Sequence, residues 1–428
     1  MCGRGCVVAV CPHGGIRSVA ETDTIRSVVS SPVVSESMWQ LTSAVRYYPW
    51  GSPTVIPELL GQPVPADRPH AELWMGAHPD DPSRLPDGRG LDAVIAADPQ
   101  RLLGPAVSAR FGDRLPFLMK VLAAESPLSL QVHPTSAQAA AGYAAEEAAG
   151  IAQDDPTRTF KDPHHKPELL LALTTVEALC GFRPVEESLH CLAKLQVPEA
   201  KPTIAALARG GLKAAIPQLL ALSGKRVTLL VEAVAQAAAA FVAAHDPEFI
   251  NTYRWAASLA ETYPGDPGVV ISLMCNHLKL APGEAVFLPA GNLHAYLSGA
   301  GIEVMASSDN VLRGGLTTKH VDLAALIEVL DFRDGRVPVI HPVLGPGGLR
   351  YPVPVEDFDL TRIQLDEGTG TLTTRGPQVI LCTEGGAVLA SADGELVLAK
   401  GQAAFVPAGA PVSARGPAVL YRATTAVL

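Results

Sequence analysis

The residue types best suited to hold a metal ion recur in three short segments of this 428-residue chain. In Leu128-Ser-Leu-Gln-Val-His-Pro134, strand alternation puts Leu128, Leu130 and Val132 on one face and Ser129, Gln131 and His133 on the other. Gln131 and His133 can then both reach one ion; by itself the segment also reads as a half-buried strand with its polar side in water. In Phe160-Lys-Asp-Pro-His-His-Lys-Pro-Glu168, Glu168 opens the apolar run Leu169-Leu-Leu-Ala172. An inward carboxylate there is costly unless paired or coordinated, although a charged loop entering a strand is the plainer reading. In Leu288-Pro-Ala-Gly-Asn-Leu-His-Ala-Tyr296, His294 and Tyr296 share a parity just after a turn. Together Gln131, His133, Glu168 and His294 offer two imidazoles, a carboxylate and an amide oxygen. That set suits zinc with one position left open for water or a substrate oxygen. Iron or manganese would accept the same donors. A single carboxylate leaves the site with net positive charge, which favours an anionic oxygen in the open position.

A fourth segment, Gly301 to Lys319, runs from a strand into a polar, glycine-containing loop with Glu303, Asp309, Asn310, Arg313 and Lys319. Read alone, it is a solvated loop with a surface arginine.

The elements that must position these residues are mostly strands. Short apolar runs bounded by turn residues cover Phe117–Leu122, Leu128–His133, Leu169–Leu173, Ala285–Leu288, Glu303–Ala306, Val379–Cys382 and Ala404–Val406. Such spacing argues for barrels or jelly rolls, not a doubly wound parallel sheet. One internal repeat supports two related barrels. Gly283-Glu-Ala-Val-Phe-Leu-Pro-Ala-Gly291 recurs as Gly401-Gln-Ala-Ala-Phe-Val-Pro-Ala-Gly409, six of nine positions being identical at an offset of 118. His294 follows the first copy, but Val412 takes the matching place in the second, so only the first carries a potential ligand. Between the copies, residues 186–262 are rich in Ala and Leu at helical spacing, punctuated by Gly210-Gly211, Gly224 and Pro247. A further helix is expected from Ser136 to about Ala152, capped by Thr135 or Ser136.

Composition narrows the function classes. Hydrophobic content of 48% gives ample core for two or three units, and a net charge of −10 argues against nucleic acid or an anionic membrane as partner. An anionic small substrate would need a local cluster of Lys and Arg. Seven cysteines at irregular spacing suggest a reduced, cytoplasmic chain, and no apolar run reads as long enough to span a bilayer. Residues 1–37 lack apolar periodicity and read as a disordered extension or a misassigned start, not a signal peptide.

From about Met38 to Leu330 the chain resembles the type I mannose-6-phosphate isomerases. The resemblance rests on Tyr48-Pro-Trp-Gly-Ser52, Glu72-Leu-Trp-Met-Gly-Ala-His-Pro79, Pro116-Phe-Leu-Met-Lys-Val-Leu122, Gln131-Val-His-Pro134, His165-Lys-Pro-Glu168, Gly291-Asn-Leu-His-Ala-Tyr296 and Ser307-Ser-Asp-Asn-Val-Leu-Arg313, in the family's order. It departs at His164, where family members often have Asn, and it weakens beyond residue 330. It implies a mainly β protein with an α insertion: two cupin or jelly-roll barrels, N-terminal catalytic and C-terminal degenerate, plus a helical domain. The boundaries expected are 38–185 with 265–330 for the catalytic barrel, 186–264 for the helical insertion and 331–428 for the second barrel.

The resemblance also implies roles. Gln131, His133, Glu168 and His294 would hold one Zn²⁺ per chain, and Arg313 would be the active-site arginine, stabilising an enediolate during aldose–ketose isomerisation. Lys120, Lys166, Arg313 and Lys319 are the motif-borne cations available for phosphate, with Ser129 as a hydroxyl donor, Asp309 as a further substrate residue and Trp50 and Tyr296 as pocket walls. Lys120 draws notice inside an apolar strand, where its charge must reach a pocket or a partner. The expected partner is a phosphosugar, with neither nucleic acid nor membrane, on a monomer or weak homodimer. The other readings are a cupin isomerase of another sugar phosphate, a cupin dioxygenase and a non-catalytic sugar-binding cupin.

Overall fold

The computed structural model describes residues 37–366, 368–372 and 374–427, so the N-terminal segment read as an extension lies outside the described residues except for Ser37. The described strands are β1 (Trp39–Leu41), β2 (Ala44–Arg46), β3 (Glu72–Gly76), β4 (Phe117–Ala124), β5 (Leu130–Val132), β6 (Glu168–Ala172), β7 (Val176–Phe182), β8 (Cys275–Leu280), β9 (Ala285–Leu288) and β10 (His294–Ala306). They continue as β11 (Leu312–Gly315), β12 (Val343–Gly345), β13 (Gly348–Tyr351), β14 (Asp359–Leu365), β15 (Thr369–Thr371), β16 (Gln378–Ser391), β17 (Gly394–Ala399), β18 (Ala403–Val406), β19 (Ser413–Arg415) and β20 (Ala418–Thr424).

These form two antiparallel ten-stranded sheets. The first runs β11-β5-β10-β4-β3-β2, with β6 to β9 attached; the second runs β1-β18-β16-β20-β14-β13-β12, with β15, β17 and β19 attached. The protein is therefore mainly β, with two sheets and helices. The first strand crosses the expected boundary: Trp39 pairs with Phe405 of the second sheet, and their rings stack at 5.9 Å. A buried core shared by the two sheets explains this placement, with Trp39, Phe117, Met119, Ile302, Phe405 and Tyr421 in one cluster.

The strand that organises the site is β10, 13 residues long and far longer than the Glu303–Ala306 run expected. Its first half pairs with β5 and β7 and its second half with β4 and β6. The register slips between Tyr296 and Ser298, and Gly299 follows at φ +100°, where a Cβ would lie 2.3 Å from the Thr175 carbonyl oxygen. Only glycine lets the strand change partners there.

The helical region contains Val185–Lys194, Lys201–Leu220, Lys225–Ala243 and Ile250–Thr262. Leu207, Ile216, Leu230, Val234, Tyr253 and Leu259 form its buried seam. Gly211, at φ +62° and ψ −160°, breaks the Lys201–Leu220 helix where the glycine pair marks an end. Helix Lys225–Ala243 is long and apolar enough by length and composition to cross a membrane, an exception to the reading that no run is. Its Val227, Leu230, Val231 and Val234 are nevertheless packed into the protein core. Helix Ser136–Ala148 is capped by Thr135, which accepts from the Gln138 amide while the Gln138 side chain accepts from the Thr135 amide.

Candidate metal centre and substrate cavity

Three elements bring the centre together. The β5 residue Gln131 lies opposite both His294 of β10 and Arg313 of β11, and Glu168 begins β6 opposite Met305. His133 follows β5 directly. One ligand atom from each of His133, Glu168 and His294 lies within 4.8 Å of the other two, and all three residues are buried. His133 Nε2 and His294 Nε2 each sit 3.3 Å from a Glu168 oxygen.

The protons explain why this cluster calls for a cation. His133 Nδ1 faces the Asn310 carbonyl at 2.6 Å and His294 Nδ1 faces the Asn292 carbonyl at 2.9 Å. Each Nδ1 therefore carries the proton and donates it, leaving each Nε2 with a lone pair. Nε2 of both histidines and Oε2 of Glu168 are buried with no hydrogen-bond partner. Three acceptor-only atoms aimed at one point repel one another unless a positive ion stands between them. Imidazole and carboxylate at this separation suit zinc. Gln131, partly buried at the cavity wall, is the neighbouring amide.

Burial pushes His133 down to about 4, so its ring is neutral at ordinary pH. Burial works against ionisation of Glu168 as well, yet its pKa is held well below the usual carboxylate range by the charges of the site, Lys166 among them with Nζ 3.5 Å from Oε1. A sign follows for the metal-free protein. His133 resists a proton that its unfolded counterpart accepts at about 6.5, so stability falls as pH drops from about 6.5 to about 4. The cost reaches roughly 3 kcal/mol at the acid end. Urea midpoints of chelated protein should therefore decline more steeply over this window in the wild type than in His133→Asn. Parallel slopes would refute this account of His133.

A cavity of about 640 Å³ opens onto the centre and is lined by Trp50, Lys120, Ser129, Gln131, Lys166, Glu168, Tyr296, Asp309, Arg313 and Lys319 among others. The substrate residues expected from sequence thus line one cavity. Five cations (Arg46, Lys120, Lys166, Arg313, Lys319) face five carboxylates (Glu72, Asp80, Glu168, Glu303, Asp309). A divalent metal would tip that balance towards an anionic ligand.

The cations differ in what is left to offer. Lys120 is buried with Nζ 3.4 Å from both Glu72 and Glu303 and 5.0 Å from the Trp74 ring centre, so its charge is already answered. Tyr296 donates to Glu303 at 2.9 Å and completes this buried network. Arg313 and Lys319 have no carboxylate partner among the described residues. Burial lowers the pKa of Arg313; burial and then the Arg313 charge lower that of Lys319.

A second group, His78, Asp80 and Asp309, also lies within 4.8 Å. Here both ring nitrogens have partners: Nδ1 accepts from the Asp80 amide at 3.3 Å and Nε2 faces Asp309 at 3.3 Å. It is an internally satisfied pair that orients Asp309.

The family model described as phosphomannose isomerase type I, catalytic domain, matches residues 38–185. Mannose-6-phosphate isomerase of Escherichia coli (strain K12) is 39% identical over 392 residues, covering 90% of this chain and 99% of that protein. The chain belongs to the type I phosphomannose isomerase family. The Bos taurus mannose-6-phosphate isomerase is 33% identical, covering 89% of this chain and 96% of that one. A crystal structure of mannose 6-phosphate isomerase from Salmonella typhimurium, bound to substrate (fructose 6-phosphate) and zinc, is similar at a TM-score of 0.82 and 37% identity. That match covers 91% of this chain and 99% of that one.

Some residues around the candidate site stand in the quoted motifs without the motifs giving them a role. Glu72 and Trp74 face the cavity because Trp74 lies directly opposite Lys120, a register that the sequence does not state. Asn310, fully buried, ties the loop together: its side chain bonds the Lys161 amide at 2.7 Å and the Asp162 carbonyl at 2.7 Å while its own carbonyl orients His133. Its signal was its place in the Ser307–Arg313 motif. His165 turns away to Asp357 at 3.0 Å, and His164 lines a separate cleft with Arg114 and Asp162. Neither imidazole joins the metal cluster.

Proposed function

We propose that this chain interconverts D-mannose 6-phosphate and D-fructose 6-phosphate with one zinc ion, held by His133, Glu168 and His294 with Gln131 as fourth donor. The single observation that carries this reading is the set of three buried, partnerless acceptor atoms, one of them on Glu168 in the lining of a charge-balanced cavity. A zinc ion there would supply Lewis acidity towards a sugar oxygen. Arg313, opposite Gln131 in the register, would hold the negative charge that develops on oxygen as the hydrogen moves between C1 and C2. A guanidinium keeps its proton under working conditions and so is no base. Glu303 and Asp309 are the titratable wall residues that would carry the proton. Lys319, Lys166 and Ser129 offer the phosphate contacts, and Lys120 chiefly neutralises Glu72 and Glu303. Trp50, stacked on Tyr48 at 5.5 Å, and Tyr296 form the walls.

On the same reading, each ten-stranded sheet is a cupin-type barrel. The catalytic one spans 38–185 and 265–330, the helical insertion 186–264, and the degenerate one 331–428 joined by β1. The enzyme works in the cytoplasm as a monomer or weak homodimer on a free phosphosugar.

A coupled assay of fructose 6-phosphate formation from mannose 6-phosphate tests this. Activity should vanish on chelation and return with zinc. Folded, zinc-loaded protein that leaves the sugar unchanged would refute the isomerase reading.

A further inference from the structure

The second sheet lacks the metal ligands, yet one of its faces changes character along its length. On β14, β16 and β20, Ile363, Cys382 and Leu420 lie in an apolar cluster, with Ile380 beside them. Two residues further along the same face stand Thr361 and Arg422, level with Ile380, and two further still Asp359, Gln378 and Thr424. All five are buried. Inward-facing polar residues on three adjacent strands are costly in a closed core and sensible only around something polar.

That polar end opens into a cavity of about 880 Å³, which Gln378 adjoins through its neighbour Thr424. Its charged lining is Arg350, Arg375 and Arg422 against Asp359 alone. Asp359 is already paired with Arg350. Arg422 is only 6% exposed; its Nη2 donates to Thr361 at 3.3 Å, and its Nε has no partner. Thr425 Oγ1 and both amide atoms of Gln378 are likewise buried and unpartnered. A Cβ at Gly376 would come 2.5 Å from Thr425 Oγ1, so only glycine leaves that hydroxyl room. A concentration of unanswered arginine on a chain of net charge −10 calls for an anion.

The internal repeat places this cavity where the first sheet has its site. The Gly291 amide donates to the His133 carbonyl at 2.8 Å, beside the metal cluster. The corresponding Gly409 amide donates to the Thr374 carbonyl at 3.0 Å, and both residues line the arginine cavity. Val412, in the place of His294, is buried in the apolar cluster. The second copy has kept the mouth and lost the metal.

We propose that the second sheet carries its own binding site for a small phosphate monoester, anchored by the buried Arg422 and completed by Arg375 at the rim. Guanidinium groups with threonine hydroxyls recognise the phosphate itself, so a phosphosugar and inorganic phosphate should compete for it.

Equilibrium binding of phosphorus-labelled fructose 6-phosphate to the zinc-loaded enzyme is expected to give two equivalents per chain, with any turnover leaving the label in place. Arg422→Gln should leave one equivalent and an unchanged turnover at saturating substrate. Arg375→Glu, exposed and harmless to folding, should weaken the same equivalent at least about tenfold, and it reads the site even where Arg422→Gln fails to fold. Inorganic phosphate should displace that equivalent first. One equivalent in the wild type, two equivalents untouched by Arg375→Glu, or no displacement by inorganic phosphate would each overturn the proposal. Turnover is measured separately, so loss of the isomerase reading and loss of this one remain distinct.

Discussion

Glu168→Ala is expected to release the metal and abolish isomerisation together. The side chain supplies the only carboxylate of the cluster, 3.3 Å from both imidazoles. Removing groups that merely orient metal ligands costs about 10- to 100-fold in affinity or activity, so loss of this ligand should exceed about 100-fold. Two neutral imidazoles and an amide would remain, with no negative charge to offset a divalent ion, and Lys166 would lose its partner at 3.5 Å. Metal content by atomic emission and turnover should fall in parallel. A Glu168→Ala protein that retains a full equivalent of zinc after dialysis would mean that the cluster is not the metal site.

Arg313→Ala is expected to do something different: turnover falls while zinc stays. Arg313 lies on β11 opposite Gln131, lines the cavity and has no carboxylate partner among the described residues. Its charge is therefore not needed to hold the fold, and its burial lowers its pKa without an ion pair to repay it. Removing a donor to a developing oxyanion costs about 100- to 1000-fold in kcat, or about 2.7–4 kcal/mol. The split between the two variants is the informative result. Zinc lost from Arg313→Ala would move the residue from charge stabilisation to support of the metal site. Unchanged kcat with a raised KM would make it a phosphate contact.

The reach of the sequence differs from residue to residue. Gln131, His133, Glu168 and His294 were legible because each sits in a short strand or at its edge, where parity is a local property and a polar residue among apolar ones is conspicuous. The capping box at Thr135 and the helices of 185–262 were legible for the same reason, being written within a few residues. Lys120 was noticed as a charge in an apolar strand, but what answers that charge was not. Glu72 and Glu303 lie 48 residues before it and 183 after it in the chain and meet it only through pairing with β3 and β10.

The apolar pattern marks only Glu303–Ala306 of the long strand β10, because Ser298-Gly-Ala-Gly301 interrupts it, whereas in the fold those glycines let one strand cross from one set of partners to another. The place of β1 was equally invisible: three residues of ordinary strand character choose the distant second sheet because Trp39 finds Phe405 there.

The sequence by itself determined the candidate donors, the helical region and the internal repeat, all carried by spacing within short segments. Only the tertiary structure decided which nitrogen of each histidine faces the Glu168 carboxylate, which lysine keeps a free charge and which imidazole turns away to Asp357. Those choices depend on carbonyls and carboxylates supplied from far along the chain, and no local pattern of residue types encodes a partner that folding alone brings near.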